Sequence, residues 1–375
     1  MCVVKIEVFP YCTEAIYVLA EMGICMKNNK KKVTMKDVAK YAGVAIGTVD
    51  RAINNTGYVS EKKKEVILRA INELNYVPNR AASVLSKQKQ LTIGVVYPNS
   101  ERYFWAEINK GIQKAEKQYA QYGLSVVRGY FENYNLEEQI RVLEMLIEKN
   151  KVDGLAFVPL HPLKFNPLIN NLHQRGIPVV TFDSDAPASK RICFIGEDSL
   201  KGGKLAGRLM ALFLGGKGKI AILRGQANLL AIQQRISGFM EKIAGEYPNL
   251  EIEKFYDMYE DERDFEETIY NIVEDISKSR HKIDGIFVTN ALINIVGKAV
   301  KQTKELSGII LIGFDYSEEI SELIQNDIVS AVVSTDLENE GYLAIKKLYK
   351  HINNQKTTPE SCTISNFEIK IKETL

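Results

Sequence analysis

The sequence predicts an α/β protein in which an N-terminal helix-turn-helix headpiece and a hinge helix precede two Rossmann-like lobes, each a doubly wound parallel sheet. Three observations support this fold class. Two short helical patterns flank Gly43, short apolar segments alternate with longer amphipathic ones after residue 90, and three pairs of these apolar segments recur along the chain. A chain of 375 residues is long enough for two or three domains.

Composition indicates a soluble globular protein with an unevenly distributed charge. Hydrophobic residues make up 45% of the chain and charged residues 26%. No apolar run approaches the roughly 18 residues of a membrane span, so we expect no membrane partner. The net charge is +2, but residues 26–90 contain 14 Lys and Arg against 5 Asp and Glu, which is +9 and leaves −7 for the rest. This asymmetry indicates a polyanionic partner; the alternative is an ordinary solvated basic surface.

The first 25 residues predict neither a signal peptide nor a metal site. Glu7, Glu14 and Glu21 interrupt the apolar stretches, and no basic segment precedes them. The simplest interpretation of residues 1–25 is a non-functional extension. The chain has 5 cysteines, an odd number, and those in this segment match no common zinc spacing. We therefore expect reduced thiols, a cytoplasmic protein and no cofactor.

The basic block is expected to form a three-helix domain over residues 26–78. Thr34 and Asp37 have the spacing of a capping box at the start of the first helix, and Gly43 permits a sharp turn after it. The second helix, 46–53, is expected to bury Val49, Ala52 and Ile53 and to expose Gly47, Asp50, Arg51 and Asn54. The third follows Ser60 as N-cap, with a buried stripe of Val66, Ile67, Ala70, Ile71 and Leu74. Pro78 ends this pattern, and residues 79–90 are expected to form a short hinge helix and a linker.

The segment "VTMKDVAKYAGVAIGTVDRAINN", continued by "VSEKKKEVILRAINELNYVPNRAASVL", resembles the headpiece and hinge of the LacI/GalR family of bacterial transcription regulators. The resemblance implies that the second helix reads the major groove and that Leu85, one turn after Ala82, wedges into the minor groove of operator DNA. It also implies a homodimer on two half-sites. The DNA-contacting residues implied are Thr34, Ile46, Gly47, Thr48, Asp50, Arg51, Asn54, Asn79, Arg80, Ala82 and Leu85.

Two positions depart from the family's usual pattern. Ala45 stands where a Ser usually caps the recognition helix, a loss of about 1 kcal/mol. Asp50 also stands where a Ser is usual. Two interpretations of Asp50 are open: its carboxylate accepts a hydrogen bond from a cytosine amino group, or it folds back towards Asn54 and contacts no base.

The remainder of the chain contains the same lobe pattern twice. "LTIGVVYPN" pairs with "GKIAILRGQ", "KVDGLAFVP" with "KIDGIFVTN", and "GIPVVTFDSD" with "GIILIGFDYS". The spacing also agrees, since 30 residues separate Asp153 from Asp183 and 31 separate Asp284 from Asp315. Apolar segments of this kind are typical of buried parallel strands, so we expect two similar lobes with a cleft between them.

Ligands of such sheets bind at the carboxyl ends of the strands. Asp183, Asn290 and Asp315 follow strands there, as do Asn99, Pro159 and Arg224, and carboxylates and amides suit vicinal hydroxyl groups. Arg235 is expected to add donors, and Phe104 and Trp105 to stack on a sugar ring. The alternatives are that these Asp residues only cap helices or form turns and that Trp105 belongs to the core.

Residues 91–375 are expected to form the two-lobed effector-binding domain, and the part from Leu91 to about Phe367 resembles the type I periplasmic-binding-protein fold of the same family's effector domains, particularly the ribose-type sugar binders. The resemblance implies ligand contacts at Phe104, Trp105, Asp183, Arg235, Asn290 and Asp315. The family usually has a Gln near Thr335 or Asp336, and Asp336 is the candidate for that contact.

Two other functions were considered from the sequence. A solute-binding protein without direct DNA regulation would have a signal peptide and no headpiece. A nucleotide-dependent enzyme would have a Gly-rich phosphate loop after the first strand of a lobe, and "YPNSERYFW" and "RGQANLLAIQQR" are not such loops. The 4 histidines are scattered without a nucleophilic partner. The sequence therefore predicts a cytoplasmic, non-enzymatic transcription regulator, a repressor that binds operator DNA and a small sugar or sugar-derivative effector.

Overall fold

The computed structural model describes residues 33–54, 58–74, 76, 90–99, 103–132, 134–226, 228–258, 264–353 and 361–375. The chain divides into two compact units, Met1–Ser83 and Val84–Leu375. The extension expected at residues 1–25 and the hinge helix expected at 79–86 lie outside the described residues. No helix among the residues described is long and apolar enough to cross a membrane.

The first unit contains the predicted helices α1 (Met35–Ala42), α2 (Ile46–Asn54) and α3 (Glu61–Glu73). The capping box is confirmed: the Asp37 amide donates to the Thr34 hydroxyl, and the Asp37 carboxylate accepts from the Thr34 amide at 2.9 Å. Gly43 ends α1 with a φ of 61°, a left-handed conformation that glycine adopts without strain. The amide of Thr48 donates to the Ala45 carbonyl at the start of α2, where the alanine offers no side-chain cap.

One inward face from each helix forms the core of this unit. Val38, Val49 and Ile67 are fully buried there. The prediction for Val66 is wrong, because its side chain is 44% exposed. Val66 directly precedes Ile67 on α3 and therefore points about 100° away from the buried stripe. Ser60 occupies the predicted N-cap position but its side chain makes no capping hydrogen bond.

The second unit contains two six-stranded sheets, one in each lobe. In spatial order, the first-lobe sheet contains β2 (Leu124–Phe131), β1 (Leu91–Pro98), β3 (Gly154–Phe157), β4 (Val179–Phe182), β5 (Cys193–Gly196) and β11 (Cys362–Ile364). The second-lobe sheet contains β7 (Asn249–Asp257), β6 (Lys217–Arg224), β8 (Gly285–Val288), β9 (Ile310–Phe314), β10 (Ala331–Ser334) and β12 (Glu368–Lys370). The predicted parallel sheets are confirmed, except that β12 pairs antiparallel with β10 at the edge.

Helices cover both sheets and alternate with the strands as predicted. The first lobe carries α4 (Tyr103–Ala120), α5 (Leu136–Asn150), α6 (Asn166–Gln174) and α12 (Leu337–Ile352). The second carries α7 (Ser199–Phe213), α8 (Leu230–Glu246), α9 (Phe265–Ser277), α10 (Ile293–Gln302) and α11 (Glu318–Gln325). Two short 3₁₀ turns, Lys304–Leu306 and Lys372–Thr374, complete the described elements.

The internal repeat found in the sequence extends to hydrogen bonds. In the first lobe the Asp153 carboxylate accepts from the Thr92 amide at 2.9 Å. In the second lobe the Asp284 carboxylate accepts from the Lys219 amide at 3.0 Å. Each aspartate therefore joins the start of a lobe's first strand to the strand beside it, which explains why both apolar segments begin with the same residue pattern.

Three crossovers of the chain join the lobes. Residues 197–198 connect β5 of the first lobe to α7, which packs on β8, β9 and β10 of the second. Residues 335–336 return the chain from β10 to α12, which packs on the first-lobe sheet. Residues 365–367 connect β11 to β12. The paired sequence segments did not predict that each lobe contains elements from both halves of the body.

Glycines let the helix pair of the second lobe approach closely. A Cβ atom added at Gly238 of α8 would lie 2.0 Å from the Leu200 carbonyl oxygen of α7, and one added at Gly203 would lie 2.0 Å from the Arg235 carbonyl oxygen. Gly111 and Gly341 make the equivalent approach between α4 and α12. The position of Arg235 therefore depends on the closest contact between α7 and α8.

We predict that Gly238→Ala destabilises the body, because backbone atoms must move to admit the methyl group. The expected loss is about 1–3 kcal/mol, the usual range for overpacking. Gly245→Ala in the same helix is the control, since an added Cβ there has no neighbour within 4 Å. Chemical denaturation should show Gly245→Ala unchanged or slightly more stable. Equal stabilities of the two variants would contradict this account of the α7–α8 contact.

Candidate functional site

A cavity lies between the two lobes, and its free space, including the part that is open to solvent, is about 510 Å³. The first lobe contributes three aromatic side chains and one carboxylate, and the second contributes amides, small apolar groups, a guanidinium and a carboxylate. The wall is formed by Phe104, Trp105, Tyr134, Asp183, Gln226, Leu229, Ala231, Ile232, Arg235, Asn290, Ala291 and Asp315.

Asp183 and Asp315 occupy equivalent positions in the two lobes, directly after β4 and β9. Both have left-handed backbone conformations, with φ of 61° and 71°. Their amides donate to neighbouring strands, Asp183 to the Ile195 carbonyl and Asp315 to the Val333 carbonyl. A non-glycine residue held at positive φ is strained, and such strain concentrates at functional sites. Each strand ends at this left-handed residue, and both aspartates line the cavity between the lobes.

Arg235 is buried on α8 and makes three contacts. Its Nε donates to Glu197 Oε1 at 2.6 Å, and Nη1 donates to the Thr289 carbonyl at 2.8 Å. The guanidinium also stacks on the Phe314 ring, 3.9 Å from its centroid. Because Glu197 lies in the first crossover, this ion pair connects the cavity wall to the segment that joins the lobes.

The buried charges perturb one another strongly. Burial raises the pKa of Asp183 to about 8 and that of Asp315 to about 6, although Arg235 acts to lower both. Burial likewise raises the pKa of Glu340 to about 7, against hydrogen bonds from Ser365 and Thr335. Burial alone would lower the pKa of Arg235, but the carboxylates of Glu197 and Asp315 raise it above its ordinary value. Arg235 therefore stays protonated. Its single positive charge does not compensate all of the carboxyl groups around it.

The aromatic part of the wall is built on the start of α4. The rings of Phe104 and Trp105 meet edge to face at 4.8 Å, and Trp105 Nε1 donates to the Tyr134 hydroxyl at 3.3 Å. Trp105 is 3% exposed and belongs to the first-lobe core as well as to the cavity wall. The two interpretations of Trp105 drawn from the sequence are therefore compatible in this geometry.

Six of the seven residues singled out as ligand contacts come together at this cavity, and Asp336 does not. Asp336 caps α12, and its side chain accepts from the Asn339 amide at 3.0 Å. Asp198 caps α7 in the same way, through the Lys201 amide. Of the other strand-end residues, Arg224 pairs with Asp257 at 2.8 Å and Asn99 donates to Glu132, so neither forms part of the cavity wall.

Four polar residues of this region were not singled out from the sequence. Tyr134 and Gln226 line the cavity from connecting segments that have no periodic pattern. Glu197 and Glu340 are 8% and 2% exposed behind it. Glu197 directly follows an apolar strand, as Asp183 does, so the same sequence pattern could have identified it as a site residue. Within the described residues no group of three or more His, Cys, Asp or Glu is arranged to hold a metal ion.

The outer face of α2 is the candidate DNA interface. Ile46, Gly47 and Arg51 are exposed, whereas Asp50 and Thr48 are half-buried. Arg51 Nε donates to the Gly47 carbonyl at 3.1 Å, so the guanidinium lies along this face. Thr34 is engaged in its capping box.

Four of the predicted DNA contacts, Asn79, Arg80, Ala82 and Leu85, lie outside the described residues. Asn54 is the last residue of α2.

Two family models match the chain. The model for bacterial regulatory proteins of the lacI family matches residues 34–79, and the model for the periplasmic binding protein domain matches residues 93–356. The two matches cover the helical unit and the two-lobed body respectively. The HTH-type transcriptional repressor PurR of Shigella dysenteriae is 32% identical over 257 residues, 68% of this chain and 71% of the relative.

Solved structures resemble the body. GanP, a glucose-galactose binding protein from Geobacillus stearothermophilus, has a TM-score of 0.68 and 25% identity, and the match covers 77% of this chain and 99% of GanP. The sugar-binding protein of a Bacillus halodurans sugar ABC transporter has a TM-score of 0.64 and 27% identity, covering 75% and 98% of the two chains. The two-lobed fold is therefore shared with proteins that match almost over their whole length.

We predict that ionisation of Asp183 destabilises the ligand-free protein. Its folded-state pKa of about 8 exceeds the ordinary value of 3.8, so its favourable contribution is present below pH 3.8 and is lost as pH rises through 8. Asp183→Asn cannot ionise, so its Tm should rise relative to wild type by at least about 2 °C between pH 6 and 8.5. Asp264→Asn, which removes an exposed carboxylate, is the control. Wild-type and Asp183→Asn melting curves that respond identically to pH would refute the assignment.

Proposed function

The chain belongs to the LacI family of bacterial regulatory proteins, and from that premise we propose that it is a transcriptional repressor controlled by a small sugar-like effector. The headpiece binds operator DNA, and the effector binds in the cavity between the lobes. One observation carries the proposal: a cavity whose wall combines aromatic rings with strand-end carboxylates and an amide from both lobes, in a chain that also has a helix-turn-helix unit.

The chemistry of the wall supports a polyhydroxylated ligand. Asp183 and Asp315 offer acceptors, Asn290 offers an amide that both donates and accepts, and Phe104 and Trp105 offer apolar ring surface. Sugars have hydroxyl groups around an apolar C–H face, which suits this combination. The names of the relatives agree in part: one is a transcriptional repressor, and two structural matches bind sugars.

The DNA-binding part of the proposal rests on the headpiece. Its surface is basic, and the outer face of α2 presents Gly47 and Arg51 with little steric obstruction, since an added Cβ at Gly47 has no neighbour within 4 Å. The protein acts as a homodimer, because two half-sites on a duplex require two headpieces related by a twofold axis. Thr34, Ile46, Thr48, Asp50 and the hinge residues complete the proposed contacts.

Control by the effector follows from its contacts with both lobes. A ligand held at Asp183 and Asp315 favours the closed arrangement of the lobes, and the three crossovers must adjust to that closure. The effector shifts the DNA-binding equilibrium only by its differential affinity for the two states, typically 1–3 kcal/mol. Operator DNA must alter effector affinity by the same factor.

We predict that Asp315→Asn removes the effector response and keeps DNA binding by the ligand-free protein. Asp315 belongs to the cavity wall, whereas the proposed contacts on α2 lie in a separate unit. The measurement is calorimetric titration of effector with and without an operator selected from random duplexes. Wild type should show about 5–150-fold different dissociation constants in the two titrations. Identical constants would mean that the sites are not coupled and the proposal fails.

We predict that Asp50→Ser changes which half-site is preferred more than it changes overall affinity. Arg51→Ala should weaken specific binding by about 1–3 kcal/mol and relax selectivity at its base pair. Lys36→Ala, an exposed change on α1, is the control for general loss of charge. Selection from a randomised half-site library measures both effects. If Asp50→Ser tightens binding to every sequence equally, Asp50 only repels phosphates.

A further inference from the structure

The wall of the cavity carries more negative than positive charge. Asp183 and Asp315 contribute carboxylates, and Arg235 is the only lysine, arginine or histidine among the described wall residues. Glu197 and Glu340 lie close enough to act electrostatically on Asp183. Four carboxyl groups therefore surround one guanidinium, and the site as a whole favours cations and disfavours anions.

Contacts within the protein already compensate the charge of Arg235. Glu197 accepts from Nε at 2.6 Å, the Thr289 carbonyl accepts from Nη1 at 2.8 Å, and Phe314 covers one face of the guanidinium. The ion pair is buried on both sides, with side-chain exposures of 6% and 7%. The charge of Arg235 is therefore compensated mainly by Glu197, although the guanidinium also acts on Asp183 and Asp315.

The two cavity carboxylates lack comparable partners. Within the described residues, neither the Asp183 nor the Asp315 side chain accepts a hydrogen bond, and neither forms an ion pair within 4.0 Å. Asp315 is only 6% exposed. A buried carboxylate without a partner is unfavourable unless it takes up a proton or meets a cation. With its pKa raised to about 8, Asp183 keeps its proton at neutral pH in the ligand-free cavity, whereas Asp315, with a pKa of about 6, is mostly ionised there.

Aromatic rings occupy the first-lobe side of the same cavity. Phe104, Trp105 and Tyr134 all contribute to the wall. The negative faces of such rings attract an ammonium group, and more strongly when it is desolvated. Aromatic rings combined with unpartnered carboxylates suit a cation better than a neutral polyol, which gains only hydrogen bonds from the same acids.

We propose that the effector is a polyhydroxylated amine, such as an amino sugar, whose ammonium group binds the carboxylates of Asp183 and Asp315. This inference rests on the proposed function and narrows its ligand class. A sugar phosphate is disfavoured, because its phosphate would enter a site with surplus negative charge. Binding of the amine displaces protons from those of the two aspartates that are protonated. The other charged groups that face the two aspartates are Arg235, Glu197 and Glu340.

The test compares matched ligands with the full-length protein by calorimetry at pH 7.5. Glucosamine, galactosamine and mannosamine are each titrated beside glucose, galactose and mannose, with the N-acetyl derivatives as uncharged amides of similar shape. At least one amine should bind about 10-fold or more tightly than both its hydroxyl and its N-acetyl counterparts. Repeating that titration at pH 6.5, where the free amine is already almost fully protonated, in two buffers of different ionisation enthalpy should reveal net proton release, which a neutral sugar would not cause.

Variants of the two aspartates supply the second arm. Asp183→Asn and Asp315→Asn should each reduce the preference for the amine over its hydroxyl counterpart to below about 3-fold, since each removes one negative charge and keeps side-chain size. Asp264→Asn removes an exposed carboxylate outside the cavity wall and should leave the preference unchanged. A preference that persists in both cavity variants would overturn the assignment to these carboxylates.

The outcomes separate this inference from the proposed function. If a neutral sugar binds as tightly as its amine counterpart and alters operator affinity, the effector is not a cation, but the sugar-controlled repressor stands. If no amine in the set binds, the inference is wrong. If neither amines nor neutral sugars bind, the proposed effector class is wrong as well.

Discussion

The ion pair between Arg235 and Glu197 connects the ligand cavity to the joint between the lobes. Arg235 forms part of the cavity wall on a second-lobe helix, and Glu197 lies in the crossover from the first lobe. Buried ion pairs add little net stability, because desolvation offsets most of the attraction, but breaking one leaves an uncompensated buried charge. The pair therefore fixes where the guanidinium lies, and this position decides how much positive charge the cavity offers a ligand.

Backbone packing holds Arg235 in place as firmly as its side-chain contacts do. The carbonyl of Arg235 lies so close to Gly203 that an added methyl group would reach it at 2.0 Å. The helix that carries Arg235 thus packs directly on α7, the helix that begins just after Glu197. Both members of the ion pair are positioned by one helix–helix contact. A lobe movement that changed the first crossover would act on the guanidinium directly through Glu197.

The sequence predicted the parts of the site that depend on local pattern. Asp183 and Asp315 follow apolar strands at corresponding places in the repeat, and parallel strands bring their carboxyl ends to one edge of each sheet. Glu197 as the partner of Arg235 was not predicted, because the pairing depends on a crossover that no local pattern reveals. Asp336 was assigned to the ligand, although an Asp directly before a helix also fits an N-cap. In the structure its side chain accepts from the backbone amide of Asn339. Asp198 has that role in the equivalent crossover.

The buried carboxyl of Glu340 extends the electrostatic argument from the cavity to the crossovers. It accepts from the Thr335 hydroxyl at 3.0 Å in the second crossover and from Ser365 in the third, while Glu197 occupies the first. Glu197, Asp315 and Glu340 act on one another, so a positive charge brought to Asp315 favours ionisation of Glu340 as well. An ionised Glu340 strengthens its hydrogen bonds to both crossovers. The charge of a ligand, and not only its shape, would thereby act on the segments that must bend when the lobes close.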